Sequence, residues 1–159
     1  MRLFLLCLAM VSALSGAKAA MGESVDGSIA RYGKPERDAL KQSGLLCFRK
    51  GDLCVIAHFQ QGKCDVLSIF SSEDDLGLPR DLGQERIKSL LRSEGGDVGW
   101  QPLPGFTING VWDSDDGKIF AIYDTMRHKL VIMTREAYHR EKEAKKQTLR
   151  SAQFPVQSR

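Results

Sequence analysis

Apolar positions along the chain fall into short runs cut by glycine, and the spacing within each run sets the predicted elements. Val25, Ile29 and Tyr32 lie at helical spacing in residues 24–32, which end at Gly33-Lys34-Pro35, where glycine and proline both stop a helix. Leu45, Leu46 and Phe48 open a first strand-length run, and residues 53–59 and 64–70 form two more. The separators, Arg49-Lys50-Gly51-Asp52 and Gln60-Gln61-Gly62-Lys63, are turn sequences, so the three runs predict an antiparallel meander. Residues 71–80, with Glu73, Asp74 and Asp75 in succession and Pro79 near the end, read as a loop.

Asp81 with Gln84 three places on has capping-box spacing, and Leu82, Ile87, Leu90 and Leu91 share one helical face before Gly95-Gly96. An amphipathic helix is therefore expected at about 82–93. Residues 98–103, 106–112, 118–123 and 130–134 predict a second meander, turning at Pro104-Gly105, at 113–117 and at 124–128. From Arg135 to about Arg150, Glu136 stands four before Arg140 and Glu141 four before Lys145, pairs that support an exposed helix with few apolar residues to dock it. The expected fold class is α+β: an antiparallel β-sheet of two meanders, one packed amphipathic helix and an exposed C-terminal helix.

The N-terminus changes the setting. Arg2, the apolar run 3–14 and Ala17-Lys18-Ala19 together read as a secretory signal peptide, with small residues at the third and first positions before a cut after Ala19. The run is roughly a dozen residues, against about twenty for a membrane span. Cys7 follows Leu6 inside the run, where a lipidated terminus needs a small residue, so no lipid anchor is expected. The longest later apolar run, 119–123, is strand-sized, and no transmembrane span is expected in the mature chain. The predicted organisation is a signal peptide at 1–19, a single α+β domain at 20–134 and a charged, partly disordered helical tail at 135–159. The predicted location is outside the cytoplasm, periplasmic or secreted.

The formal charge of +3 includes Arg2 and Lys18 of the signal, so the mature chain is close to neutral. Only the tail is basic, and that argues against a nucleic-acid partner. The P-loop and the nucleotide-binding glycine fingerprint are both missing from the sequence.

Three cysteines follow the signal: Cys47, Cys54 and Cys64. An odd number in an exported protein permits one disulfide with a thiol left over, or an intermolecular bridge. With the first turn centred on Lys50-Gly51, Cys47 faces Cys54 within disulfide reach, and this pair is the disulfide candidate. With Gln61-Gly62 at the second turn, Phe59 faces Cys64, which places Cys64 on the opposite sheet face from Cys54 as a small core residue. A redox thiol would need a nearby cation to lower its pKa, and the Cys-x-x-Cys spacing is absent.

In the same register His58 faces Asp65, resembling the orienting half of a hydrolytic triad, although no nucleophile elbow exists and Cys54 lies roughly 13 Å along the strand. A cross-strand charged pair accounts for both residues. Asp113, Asp115, Asp116 and Gly117 resemble a calcium loop, but the glycine comes one residue early and a strand follows, so a hairpin turn is expected and no metal or other cofactor. Trp100, Trp112 and Tyr123 form a candidate binding surface for a sugar or a partner; they also sit where strands need large core residues.

Residues 29–35, Ile29-Ala30-Arg31-Tyr32-Gly33-Lys34-Pro35, then Phe48, then 55–63 resemble the small periplasmic modules of the BamE type (SmpA/OmlA) and the β-lactamase-inhibitor-like domains. Those also run a helix ending in Gly-x-Pro into a meander with a phenylalanine and a Gly-Lys turn. The likeness spans about residues 24–70, and the helix expected at 82–93 departs from it. It implies a non-catalytic fold that presents a sheet face or loops to a protein partner. The functional expectation is thus an exported non-catalytic module binding a protein or cell-envelope component. The alternative is an enzyme, either a thiol oxidoreductase using Cys47, Cys54 or Cys64, or a hydrolase using His58 and Asp65.

Overall fold

A computed structural model of the chain describes residues 20–36, 44–72, 78–105 and 110–153. The predicted signal peptide, the Glu73-Asp74-Asp75 triplet and the predicted strand start at 106–109 lie outside them. Ser24 Oγ accepts the Gly27 N–H at 3.2 Å and so caps helix α1 (Val25–Tyr32), which stops at Gly33 with φ +91°. The first meander is β1 (Leu45–Lys50), β2 (Leu53–Gln60) and β3 (Lys63–Ser71). Helix α2 (Gln84–Gly95) leads to β4 (Trp100–Pro102), β5 (Gly110–Ser114), β6 (Ile119–Asp124) and β7 (Lys129–Thr134), and β7 passes directly into helix α3 (Arg135–Gln153).

All seven strands form one antiparallel sheet in the order β1-β2-β3-β7-β6-β5-β4. The two predicted meanders are therefore halves of a single sheet, joined where the last strand of one pairs with the last strand of the other. Leu67 sits opposite Ile132 and Ile69 opposite Leu130 at that seam, all fully buried. One sheet face carries Phe48, Val55, Ala57, Leu67, Ile69, Ala121, Leu130 and Ile132, and the cluster they form takes in Tyr32 of α1 and Ile87, Leu90 and Leu91 of α2. The other face offers a smaller cluster of Val111, Phe120 and Met133 to Ala137 of α3.

Two local details differ from the sequence reading. The first hairpin turns on Gly51-Asp52, with Lys50 opposite Leu53, so Cys47 pairs with Ile56 and Cys54 with Arg49. A Lys50-Gly51 turn would place lysine at the first turn position, where hairpin turns demand positive φ; Gly51 takes that position at +62° without strain. Moving the turn by one place shifts every partner by two, so Cys47 and Cys54 still share a face, as diagonal neighbours. The second difference is at α2, which starts at Gln84 with Gly83 as its N-cap and no side-chain cap. Asp81 does not close a capping box; its Oδ1 accepts the Gly83 N–H at 3.1 Å and the Tyr123 hydroxyl at 2.5 Å. Leu82 is buried just ahead of the helix.

Helix α3 starts firmly. Thr134 Oγ1 accepts the Ala137 N–H at 3.1 Å, Arg135 pairs with Asp113 and lies over the Phe120 ring at 5.3 Å, and Arg140 pairs with Asp65. From Glu141 to Leu149 every side chain is exposed, as expected for the charged tail.

Phe48 is fully buried with its ring centroid 5.3 Å from that of Tyr32, which ties α1 to the sheet. Phe48→Ala is expected to lower stability by about 3–5 kcal/mol, read as a fall in the urea midpoint with the slope unchanged; a change under about 1 kcal/mol would contradict this core assignment.

Candidate functional site

Trp100 and Trp112 come together. β4 and β5 are paired with Pro102 opposite Trp112, and both tryptophans project to the face that carries α2. Each indole is seated against a glycine: a Cβ on Gly95 would come within 2.6 Å of Trp100, and one on Gly110 within 2.2 Å of Trp112. Glycine is required at both places because the rings occupy the space of a side chain. The Trp100 indole N–H donates to Leu91 O at 2.8 Å, which fixes that ring to the last turns of α2.

Between α2 and this corner of the sheet lies a cavity of about 420 Å³, lined by Trp100, Trp112, Val98, Leu91, Lys88 and Arg92. Lys88 and Arg92 are one helical turn apart on α2 and exposed; Lys88 also reaches Glu85 at 2.8 Å. The arrangement offers two half-buried indoles beside two cations, so it suits an apolar or aromatic group next to a negative charge. Tyr123, grouped with the tryptophans from the sequence, is not part of it. That residue is buried, and its hydroxyl donates to Asp81 and accepts the Leu82 N–H at 3.2 Å. Burial and the Asp81 carboxylate push the Tyr123 phenol up to about 12, and the same hydrogen bond holds Asp81 below the usual carboxylate range. Lys88 and Arg92 were not singled out in the sequence, because they flank the apolar stripe of α2 and spacing alone does not say which flank meets the sheet corner.

His58 and Asp65 also meet, by an unforeseen route. A bulge follows His58 in β2, so His58 pairs with Val66 and Phe59 with Cys64, leaving Asp65 as the extra residue. Its buried carboxylate takes His58 Nδ1 at 2.6 Å and the Arg140 guanidinium from α3. A wider cavity of about 680 Å³ opens beside this cluster between α3 and the sheet, lined by Leu45, His58, Val66, Ser68, Arg140 and Gln147 among others. No cysteine is among the residues lining it. Cys64 is buried on the opposite face, and the other imidazole nitrogen, Nε2, lies beside Gly44, where an added Cβ would be 3.7 Å away.

Cys47 and Cys54 are thiols with their sulfurs 3.6 Å apart. Burial, then the neighbouring Cys47, pushes the Cys54 thiol up to about 11. Burial also pushes Cys64 up to about 12, with Asp65 adding to it. At Asp113–Gly117 two of the three carboxylates are spent on structure: Asp116 Oδ1 accepts from Ser114 Oγ at 2.8 Å and Lys118 N at 3.1 Å, and Asp113 pairs with Arg135. Among the described residues no group of three or more His, Cys, Asp or Glu is placed to hold a metal ion, and no helix is long and apolar enough to cross a membrane.

No family model matches the chain, and no curated protein matches it. Similar solved structures include a DUF4309 family protein, YjgB, from Bacillus subtilis, at 15% identity with a TM-score of 0.38, covering 71% of this chain and 79% of that one. Another is a cysteine-rich secretory protein, SAV1118, from Staphylococcus aureus, at 12% identity and a TM-score of 0.40, covering 74% of this chain; the chain spans 45% of that protein's length. With scores this low, neither bears on what the chain does.

Cys64 should be silent to alkylation in the native state. With its thiol pushed up to about 12 and its side chain 1% exposed, modification by iodoacetamide at pH 8 is expected only on global unfolding. Rapid native labelling at this position would refute the placement.

Proposed function

We propose that this small α+β module is exported, non-catalytic, and binds a protein partner of the cell envelope at the cavity between α2 and the β4–β5 corner. The observation that carries the reading is the pair of glycine-seated indoles facing one cavity beside Lys88 and Arg92. Preset aromatic faces bind with little loss of side-chain freedom, and tryptophan with arginine is the composition that dominates binding energy at protein interfaces. The partner segment is therefore acidic and carries an aromatic or large apolar residue. The resemblance of residues 24–70 to BamE-type modules points to the same class. The export signal supplies the location.

The enzymatic alternative rests on the His58–Asp65 contact at 2.6 Å. Against it, Asp65 is also engaged by Arg140, and the three cysteines lie outside the cavity beside His58. For Cys47 and Cys54 the reading is a structural disulfide, formed by exchange with an external disulfide: two thiols give one bridge, and the exchanging disulfide leaves as two thiols.

Trp112→Ala and the charge reversal Lys88→Glu/Arg92→Glu are each expected to cut recovery of the partner from an envelope extract at least tenfold, with melting temperature nearly unchanged for the reversal. Raised salt should weaken capture by the parent chain. Recovery that ignores all three changes would sink the binding site.

Incubation with oxidised glutathione is expected to lower the mass of the chain from Ala20 by two hydrogens and leave one thiol, Cys64, titratable after denaturation. A fast-reacting native thiol that persists under these conditions would favour the oxidoreductase instead.

A further inference from the structure

The segment ahead of α1 is anchored to the core at Ala20. Ala20 is fully buried within the main core cluster, and its backbone N–H donates to Glu94 O at 3.0 Å. The residues after it are held to the start of β3: Gly22 N–H donates to Cys64 O at 2.7 Å, and Cys64 N–H to Glu23 O at 2.8 Å. Glu94 occupies the last turn of α2, where unpaired carbonyls leave a partial negative charge that favours cations. Its side chain is an independent sign. The carboxylate belongs to a residue only 5% exposed, and its described hydrogen-bond partners are hydroxyls, Tyr32 at 2.5 Å and Ser93 at 3.1 Å. A carboxylate withdrawn from water needs charge compensation close by. Arg31, paired with Glu23, supplies one such charge.

We propose that this is the seat of the mature chain's own α-ammonium group, so that signal removal completes the fold. Hydrolysis after Ala19 by a signal peptidase breaks one peptide bond; water supplies the hydroxyl that leaves Ala19 as a carboxylate and the hydrogen that leaves Ala20 as an amine. The amine is protonated at neutral pH. A neutral N–H with one acceptor thereby becomes a cation with three donors, already placed on the carbonyl of the residue that carries the buried Glu94 carboxylate. Alanine fits because the site leaves no exposed surface at this position. The proposal depends on the export reading for the origin of the free amine; the clamp itself does not.

The groups around the amine are Glu94 of α2, Tyr32 and Arg31 of α1, Cys64 of β3 and Glu23. Burial pushes both the Tyr32 phenol and the Cys64 thiol upward, so they stay neutral through the range in which an α-amine titrates, ordinarily about 7.7–8.0. Pairing raises the amine above that value in the folded chain. Its contribution to stability is thus complete below the unfolded value and disappears as pH rises through the folded one.

The test uses the chain beginning at Ala20, which holds every described element, with its amine free or acetylated. At pH 6.5 the free form is expected to melt higher by about 3–6 °C, with the gap closing above about pH 10 and in Glu94→Gln. Equal melting of the two forms overturns the clamp. Because Glu94→Gln also disturbs the Tyr32 bond, carbamylation by cyanate gives a second readout: the native α-amine should react at least tenfold more slowly than in guanidinium-unfolded chain, and equal rates overturn the clamp as well. N-terminal sequencing of full-length chain expressed in an exporting host then tests the origin of the amine. Ala20 as first residue supports the link to processing, and any other first residue overturns that link while the melting comparison judges the clamp.

Discussion

The pairing of β3 with β7 is the contact on which the molecule depends. Each meander is local: its strands fold back through short turns and bury little alone, because a ribbon of three or four strands offers one apolar face and nothing to cover it. Only when Val66 to Phe70 lie along Lys129 to Met133 does a sheet exist that is wide enough for α1 and α2 to cover on one side. Leu67, Ile69, Leu130 and Ile132 are fully buried at this seam, so closing the long loop between the halves is offset by four completely desolvated aliphatic side chains. The joint also sets the candidate site. It fixes β5 and β4 relative to α2, and thereby the corner where the tryptophans meet Lys88 and Arg92.

Local elements were legible in the chain because each rested on a nearby signal. Helical spacing and the Gly33 stop delimited α1, Gln61-Gly62 marked the second hairpin, and alternation placed Cys64 on the face opposite Cys54. The seam was not legible, since no local pattern says which two strands of separate meanders become neighbours. Turn position was the finer failure: both Lys50-Gly51 and Gly51-Asp52 are plausible pairs, and positive φ at the first position decides for the second. Asp65 shows a compensating case. A bulge displaced the expected cross-strand partner, yet the side chains still met, because the extra residue re-aims its carboxylate toward His58 and Arg140.

The candidate site was half legible. Both tryptophans were visible as large aromatics at strand positions, but the same reasoning grouped them with Tyr123. All three lie on the same sheet face, and what separates them is the covering layer: Leu82 and Asp81 close over Tyr123, whereas α2 presents Lys88 and Arg92 beside Trp100 and Trp112. Face assignment is a property of strand parity, while exposure depends on a helix whose lateral placement the sequence does not encode locally.

The glycines behind the indoles give the site a physical character that composition would not suggest. Gly95 and Gly110 do not need positive φ; they are needed because Trp100 and Trp112 occupy the volume where a Cβ would stand. A ring pressed on backbone, with the Trp100 N–H already bonded to Leu91 O, has few rotamers left to lose. Rigid aromatic surface at a rim is costly for a monomer to leave half exposed, and a core role alone would be served better by aliphatic side chains packed inward. Alanine at Gly110 therefore separates two explanations that truncating a tryptophan would confuse: it keeps the indole but tilts it from its seat, so a loss of binding larger than the loss of stability assigns the preset ring angle to recognition rather than to packing.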